Sequence, residues 1–177
     1  MNEIISKIRN RCNTIGAKLS GARIGKRSVI HHTSEIKNAQ GITMGDDAII
    51  YKQASLYLGP EGKLSLGGHS HIAPFGFFLI DNNTVAIGKD VAIGPFCAFI
   101  CHSNTYHEDK PLFRESFQDD DISLGNNVFV GAHCTFVPGA KVGDNVMIAA
   151  NSVVKGELES NALYGGSPVK KLKSLEF

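Results

Sequence analysis

Residues 124–154 read LGNNVFVGAHCTFVPGAKVGDNVMIAANSVV, and their spacing decides the fold. Leu124, Val130, Phe136, Val142, Ile148 and Val154 recur every six residues. A small residue follows most of these rungs (Gly125, Gly131, Gly143, Ala149), and Val128, Cys134, Ala140, Val146 and Ser152 stand four places after a rung. Neither a helix nor a simple alternating strand has this period. A chain that lays down a short flat strand, turns a corner and repeats does. Three such faces close one triangular coil.

The same ladder runs upstream in groups of three: Ile24, Ile30 and Ile36; Met44, Ile50 and Leu56; Leu66, Ile72 and Phe78; Ile87, Ile93 and Phe99. The group starts at 24, 44, 66, 87, 124 and 142 give about six coils, with the extra residues of the early ones placed at corners. Only the step from 87 to 124 is out of scale, holding one 18-residue coil plus an insertion of 19 residues. Each buried rung is worth roughly 1.5–3 kcal/mol. With coils about 4.8 Å apart, six of them make a column of roughly 30 Å.

A column held together by neighbour contacts needs a cap at each end. Ile4, Ile5, Ile8, Cys12 and Ile15 recur at near-helical spacing within Met1–Lys18, the expected N-terminal cap, and the segment after Val154 is the expected C-terminal one. The expectation is therefore an all-β chain of one structural domain: a parallel β-helix of about six triangular coils, with an extruded loop and short helical terminal segments. Its parts are a helical cap over 1–20, the β-helix over 21–156 with its loop at about 102–121, and a C-terminal cap and tail over 157–177.

Composition narrows the function. The 177 residues carry a formal net charge of +1, and the one basic cluster, Lys170, Lys171 and Lys173, is short, so a nucleic-acid surface is not indicated. The 19 glycines suit a chain with many corners. No apolar run reaches the length of a membrane span and no signal peptide precedes the repeat, which reads as a cytoplasmic protein. Cys97 and Cys134 fall at the small fourth place of the repeat, as wall packing; with Cys12 and Cys101 they form no CxxC pair and no disulfide framework.

The insertion is where chemistry is expected, because long loops in compact domains are commonly functional. It runs from Cys101-His102-Ser103-Asn104 through Tyr106, His107, Pro111 and Arg114 to Asp119-Asp120-Asp121, and the three aspartates read as a solvated loop edge. Seven histidines compete for an acid–base role near neutral pH. His31, His32, His69, His71 and His133 fit surface or corner positions, and His107 fits a mobile loop. His102 differs because it follows rung Phe99 by three residues, at the root of the loop.

The ladder, the stretches Asn127–Ala132 and Ala149–Val154, and the tail Gly166-Ser167-Pro168-Val169-Lys170 resemble the hexapeptide-repeat acyltransferases over about residues 20–173, and most of all the sugar and polysaccharide O-acetyltransferases. The resemblance implies a left-handed coil, a homotrimer with sites in subunit clefts, and acetyl-CoA as co-substrate with no metal. It makes His102 the general base acting on a sugar hydroxyl. Ala132, Ala150, Lys155, Lys170 and Lys173 become the expected CoA contacts. Asn104, His107 and Asn82 are the candidates for binding the acceptor or orienting His102, and the Phe75-Gly76-Phe77-Phe78 cluster with Phe96 for subunit contact. The implied setting is the synthesis of surface polysaccharide such as O-antigen, capsule or exopolysaccharide. Three alternatives stand beside it: N-acetylation of a nucleotide-linked amino sugar, a carbonic-anhydrase-like metalloprotein using His102 and His107, and a noncatalytic trimeric scaffold.

Overall fold

The computed structural model describes residues 2–110 and 112–177; Met1 of the expected cap and Pro111 of the loop lie outside the described residues. The chain winds a triangular, left-handed parallel β-helix whose three faces are continuous parallel sheets. The first face begins at Arg23–Ile24 and ends at Glu157–Leu158, in seven strands. The second begins at Val29–Ile30 and the third at Glu35–Lys37.

Strand register follows the rungs. Met44 pairs with Leu66, Leu66 with Ile87, Ile87 with Leu124 and Leu124 with Val142. The pairing of Ile87 with Leu124 shows that the insertion leaves the stacking intact. Down the prism Phe78, Phe99 and Phe136 stack face to face at 4.4 and 4.2 Å between ring centroids, fully buried. The small residue behind each rung has a steric cause. A side-chain carbon on Gly88 would collide with the backbone of Gly125 in the next coil.

Two corners are built from left-handed backbone. Between the first and second faces stand Arg27, Asp47, His69, Asp90, Asn127, Asn145 and Asn161, with φ from 52° to 58°. Asp and Asn tolerate that region best, and Asn127, Asn145 and Asn161 add a ladder of side-chain amide bonds of 2.9 and 2.8 Å from coil to coil. Between the second and third faces stand Gln53, Phe75, Phe96, His133 and Asn151. His69 and His133 are thus corner residues, as their spacing suggests.

The ends depart from the sequence reading. The coil continues past Val154, with Leu158 pairing Val142 and Tyr164 pairing Ile148, so a partial seventh coil follows six complete ones. No C-terminal helix forms. Lys170–Ser174 instead returns antiparallel along Ala162–Gly165 and covers the edge of the second face, which satisfies the open backbone groups that a parallel sheet leaves at its end. At the other end the helix Asn2–Leu19 forms as expected, but its apolar stripe does not meet the column. Beside Ala17, which packs on the core, its contacts are polar: Thr14 Oγ1 accepts from the Ile30 amide at 3.0 Å, Asn13 Nδ2 donates to the His31 carbonyl at 3.2 Å, and Asn10 Oδ1 accepts from the His32 amide at 3.0 Å. The first coil offers backbone donors and acceptors, so polar side chains fit there better than isoleucines.

Candidate functional site

The extruded segment leaves the corner between the third and first faces. It is not an irregular loop: His102–Asn104 and Phe117–Asp119 form a two-stranded antiparallel ribbon in which His102 pairs Asp119. Both roots are anchored. Cys101 is fully buried, its amide donates to the Leu79 carbonyl at 2.8 Å, and its carbonyl accepts from the Asp120 amide at 3.0 Å. Asp121 Oδ1 accepts from the Thr84 amide at 2.7 Å, pinning the returning chain to the preceding coil. Burial pushes the Cys101 thiol up to about 12, leaving it an inert anchor.

On this base His102 is held at both its edge and its face. Nδ1 lies 2.6 Å from Asp119 Oδ1, and the ring stacks on Phe117 with centroids 4.8 Å apart. The imidazole is partly buried, with 30% of its side chain exposed. A proton on Nδ1, given to the Asp119 carboxylate, leaves the lone pair on Nε2 free to accept another, which is the arrangement of an oriented general base. Asp81, at the turn ending the strand Phe77–Asp81 one coil below, brings a second carboxylate: its oxygen and the ligand atoms of His102 and Asp119 all lie within 4.8 Å of one another. One imidazole and two carboxylates could also hold a hard divalent cation.

The structure redistributes the other candidates. Asn104 does not orient His102; its Nδ2 donates to the Phe113 carbonyl at 2.8 Å and braces the loop. His107 lies at the exposed tip, bridged through its backbone to Lys110, and the acidic group around His102 does not include it. The metal pair of His102 and His107 therefore gives way to a group of one histidine with Asp81 and Asp119. Asn82 Oδ1 accepts from the Glu61 amide at 3.1 Å, a corner brace beside Asp81. The three aspartates are exposed, as a solvated edge requires, and each is also bonded. Asp119 holds His102, Asp121 pins the root, and Asp120 Oδ1 accepts from the Asp121 amide at 2.8 Å. Spacing alone offered no signal for Asp81 or Asp119, which meet His102 only through coil stacking and ribbon pairing.

The expected CoA contacts lie elsewhere on the same chain. Ala132 and Ala150 occupy the corner between the second and third faces, on consecutive coils. Roughly six residues of extended chain, about 20 Å, separate that corner from His102. Lys155 is on the His102 corner, two coils further along. Lys170 and Lys173 are on the exposed C-terminal edge strand, beside Lys171, which lies 3.2 Å from Glu159. At the second corner Phe75, Phe96 and His133 form an exposed stack at 4.7 and 4.8 Å.

The chain is thus a left-handed prism on a six-residue period, with an imidazole–carboxylate pair at the root of its extruded ribbon. Residues 121–156 match the family described as bacterial transferase hexapeptide (six repeats). The chain is 28% identical over 149 residues to the galactoside O-acetyltransferase of Escherichia coli (strain K12), spanning 81% of this chain and 72% of that protein. It is 30% identical over 98 residues to a putative lipopolysaccharide biosynthesis O-acetyl transferase of the same organism, about half of each chain. AntD, an N-acyltransferase from Bacillus cereus solved with dTDP and 3-hydroxybutyryl-CoA, superposes with a TM-score of 0.81 at 23% identity, over 92% of this chain and 88% of that one. That last likeness is one of fold.

Proposed function

We propose that the protein transfers an acetyl group from acetyl-CoA to a sugar hydroxyl, with His102 as general base and Asp119 as the residue that positions it. The observation that carries this reading is the 2.6 Å contact between His102 Nδ1 and Asp119 at the foot of the ribbon. A sugar hydroxyl is a poor nucleophile at neutral pH, so base assistance is worth about 10²–10⁴ in rate. His102 Nε2 takes the hydroxyl proton as the oxygen bonds to the thioester carbonyl carbon. The carbon–sulfur bond then breaks, and the same nitrogen returns the proton to the departing CoA sulfur. The reaction requires no metal step.

The reading includes assembly into a homotrimer. Within one chain, His102 and the corner of Ala132 and Ala150 stand at opposite ends of the third face, and a neighbouring copy that brings its own alanine corner beside His102 would place the CoA between two copies. The exposed stack of Phe75, Phe96 and His133, with Tyr57 and Phe77 packed on the outer third face, supplies apolar surface for that contact. Lys155, Lys170 and Lys173 are the cations offered to the CoA phosphates. Likeness to O-acetyltransferases of galactosides and of lipopolysaccharide synthesis supports a carbohydrate acceptor, in a cytoplasmic step of surface-polysaccharide synthesis.

A second acceptor class is kept by the fold shared with AntD, solved with dTDP: an amino sugar carried on a nucleotide. The deciding experiment supplies labelled acetyl-CoA with galactosides and nucleotide-linked amino sugars in parallel, and treats the products with hydroxylamine. Label released as an ester supports the O-acetyl reading. Label confined to hydroxylamine-stable amide sinks it.

A further inference from the structure

The helix Asn2–Leu19 carries a feature that neither the column nor the transfer reaction uses. At about 100° per residue, Ile4, Ile5, Ile8, Cys12, Ile15 and Leu19 fall within about 100° of arc, a continuous apolar stripe. All six are exposed, Ile4 at 65%, Ile8 at 58% and Leu19 at 85%. The opposite side holds Asn10, Asn13 and Thr14, which bind the open edge of the first coil. Bonds between coils run along the column axis, so the helix sits as an end plate and its stripe faces outward, away from the column.

The flanks of the stripe are basic. Lys7, Arg11 and Lys18 border one side and Arg9 the other, against a single acidic residue, Glu3. The helix thus carries +3 while the whole chain carries +1, so the remainder is net negative. Beside the first flank, a groove of about 700 Å³ between helix and first coil is lined by Lys7, Arg11, Lys18, Lys26 and Arg27, of which Arg27 is paired with Asp47 and Lys7 with Glu3. A second copy of this helix laid against the stripe would set these cations against their own kind, which is unfavourable. An anionic bilayer offers what the surface lacks: hydrocarbon for the stripe, and phosphate groups for the flanks and groove.

We infer that this helix is a peripheral membrane anchor that lies in the interface of an anionic phospholipid bilayer. No helix among the described residues is long and apolar enough to cross a membrane, so binding is to one surface. His102 then stands about four coil rises, roughly 20 Å, above the helix, within reach of an acceptor held at that surface. The inference rests on the helix alone and stands or falls apart from the acetyl-transfer reading.

The test is co-sedimentation of the full chain with phosphatidylcholine vesicles, with and without phosphatidylglycerol. Binding is expected only with phosphatidylglycerol and should weaken with salt. It should fall about 25-fold in Arg9→Gln/Arg11→Gln, about fivefold for each lost cation, and at least tenfold in Ile8→Glu/Ile15→Glu. Both pairs are exposed, so circular dichroism should keep the wild-type spectrum. As a readout without mutation, phosphatidylglycerol vesicles should slow alkylation of Cys12 in the stripe. The inference is overturned by absent binding, by equal binding to pure phosphatidylcholine, or by Cys12 reacting equally fast with vesicles present. It is overturned too if Ile8→Glu/Ile15→Glu lowers the vesicle-free particle mass, which would assign the stripe to a second copy.

Discussion

Replacing Asp119 with asparagine keeps the shape of the side chain and removes its charge. The amide can still accept from His102 Nδ1, or it can turn and donate to it, which places the imidazole proton on Nε2 and disables the base. A charged hydrogen bond is worth about 1.5–3 kcal/mol net when sheltered, whereas exposed pairs fall to about 0.2–1 kcal/mol. Here 30% of the His102 side chain and 49% of the Asp119 side chain are exposed. An intermediate cost of about 1–2 kcal/mol is therefore expected, which lowers kcat about 5- to 30-fold. Asp81 remains nearby to take up part of the role. The order of kcat should then be wild type, Asp119→Asn, Asp81→Asn/Asp119→Asn, and last His102→Ala, whose loss approaches the 10²–10⁴ of general base catalysis. The assay is release of the CoA thiol with the acceptor that the labelling experiment identifies, alongside calorimetric CoA binding, which should not change. A kcat for Asp119→Asn within twofold of wild type would refute the positioning role. So would a loss seen only in KM.

Exhaustive treatment with a chelator should leave acetyl transfer intact; inactivation reversed by a divalent cation would convert Asp81, His102 and Asp119 into a metal site. Lys170→Ala/Lys173→Ala should weaken CoA binding a fewfold at low salt, a difference that shrinks as salt screens exposed charge, and an unchanged Kd would remove the two from the site. Gly88→Ala forces overpacking between coils, costing about 1–3 kcal/mol and lowering Tm by about 3–10 °C at this chain length; an unchanged midpoint would contradict the close stacking. Burial lowers the pKa of His71 below the ordinary imidazole value. The unfolded chain then binds the proton more tightly, so stability falls as pH drops through and below about 6.5. His71→Gln should flatten that acid-side slope in urea titrations, and an unaltered slope would exclude His71 as its source.

The column was legible because its rule is one-dimensional. Rungs six residues apart become neighbours across coils whatever lies between, so Ile87 and Leu124 could be paired without knowing the path of the insertion. The ends were less legible because there the periodic partner is missing and other groups take its place. Leu158 and Tyr164 continue the ladder after a shortened step from Val142, which broke the count. The helix was visible in its apolar spacing, but spacing shows that a stripe exists and not what it faces. The unmet backbone of Ile30 and His32 drew the polar side of the helix inward.

The site divides along the same line. His102 could be singled out as a candidate because a position relative to a rung is a position on rigid structure. Asp119 lies 17 residues further on and Asp81 on the preceding coil, and each reaches His102 through a different kind of pairing. Ribbon register brings Asp119, since residues that face each other across an antiparallel pair share a side. Coil stacking brings Asp81, through the alignment of the strand Ala98–Ile100 over Phe77–Asp81. A run of three aspartates carries no mark of which one faces the ribbon partner, so composition favoured a solvated edge. The repeat supplies the rigid root and the inserted ribbon supplies the carboxylate beside Nδ1, and the proposed base needs both. The order of losses among Asp81, Asp119 and His102 variants therefore measures how much of the catalytic geometry the insertion adds to the column.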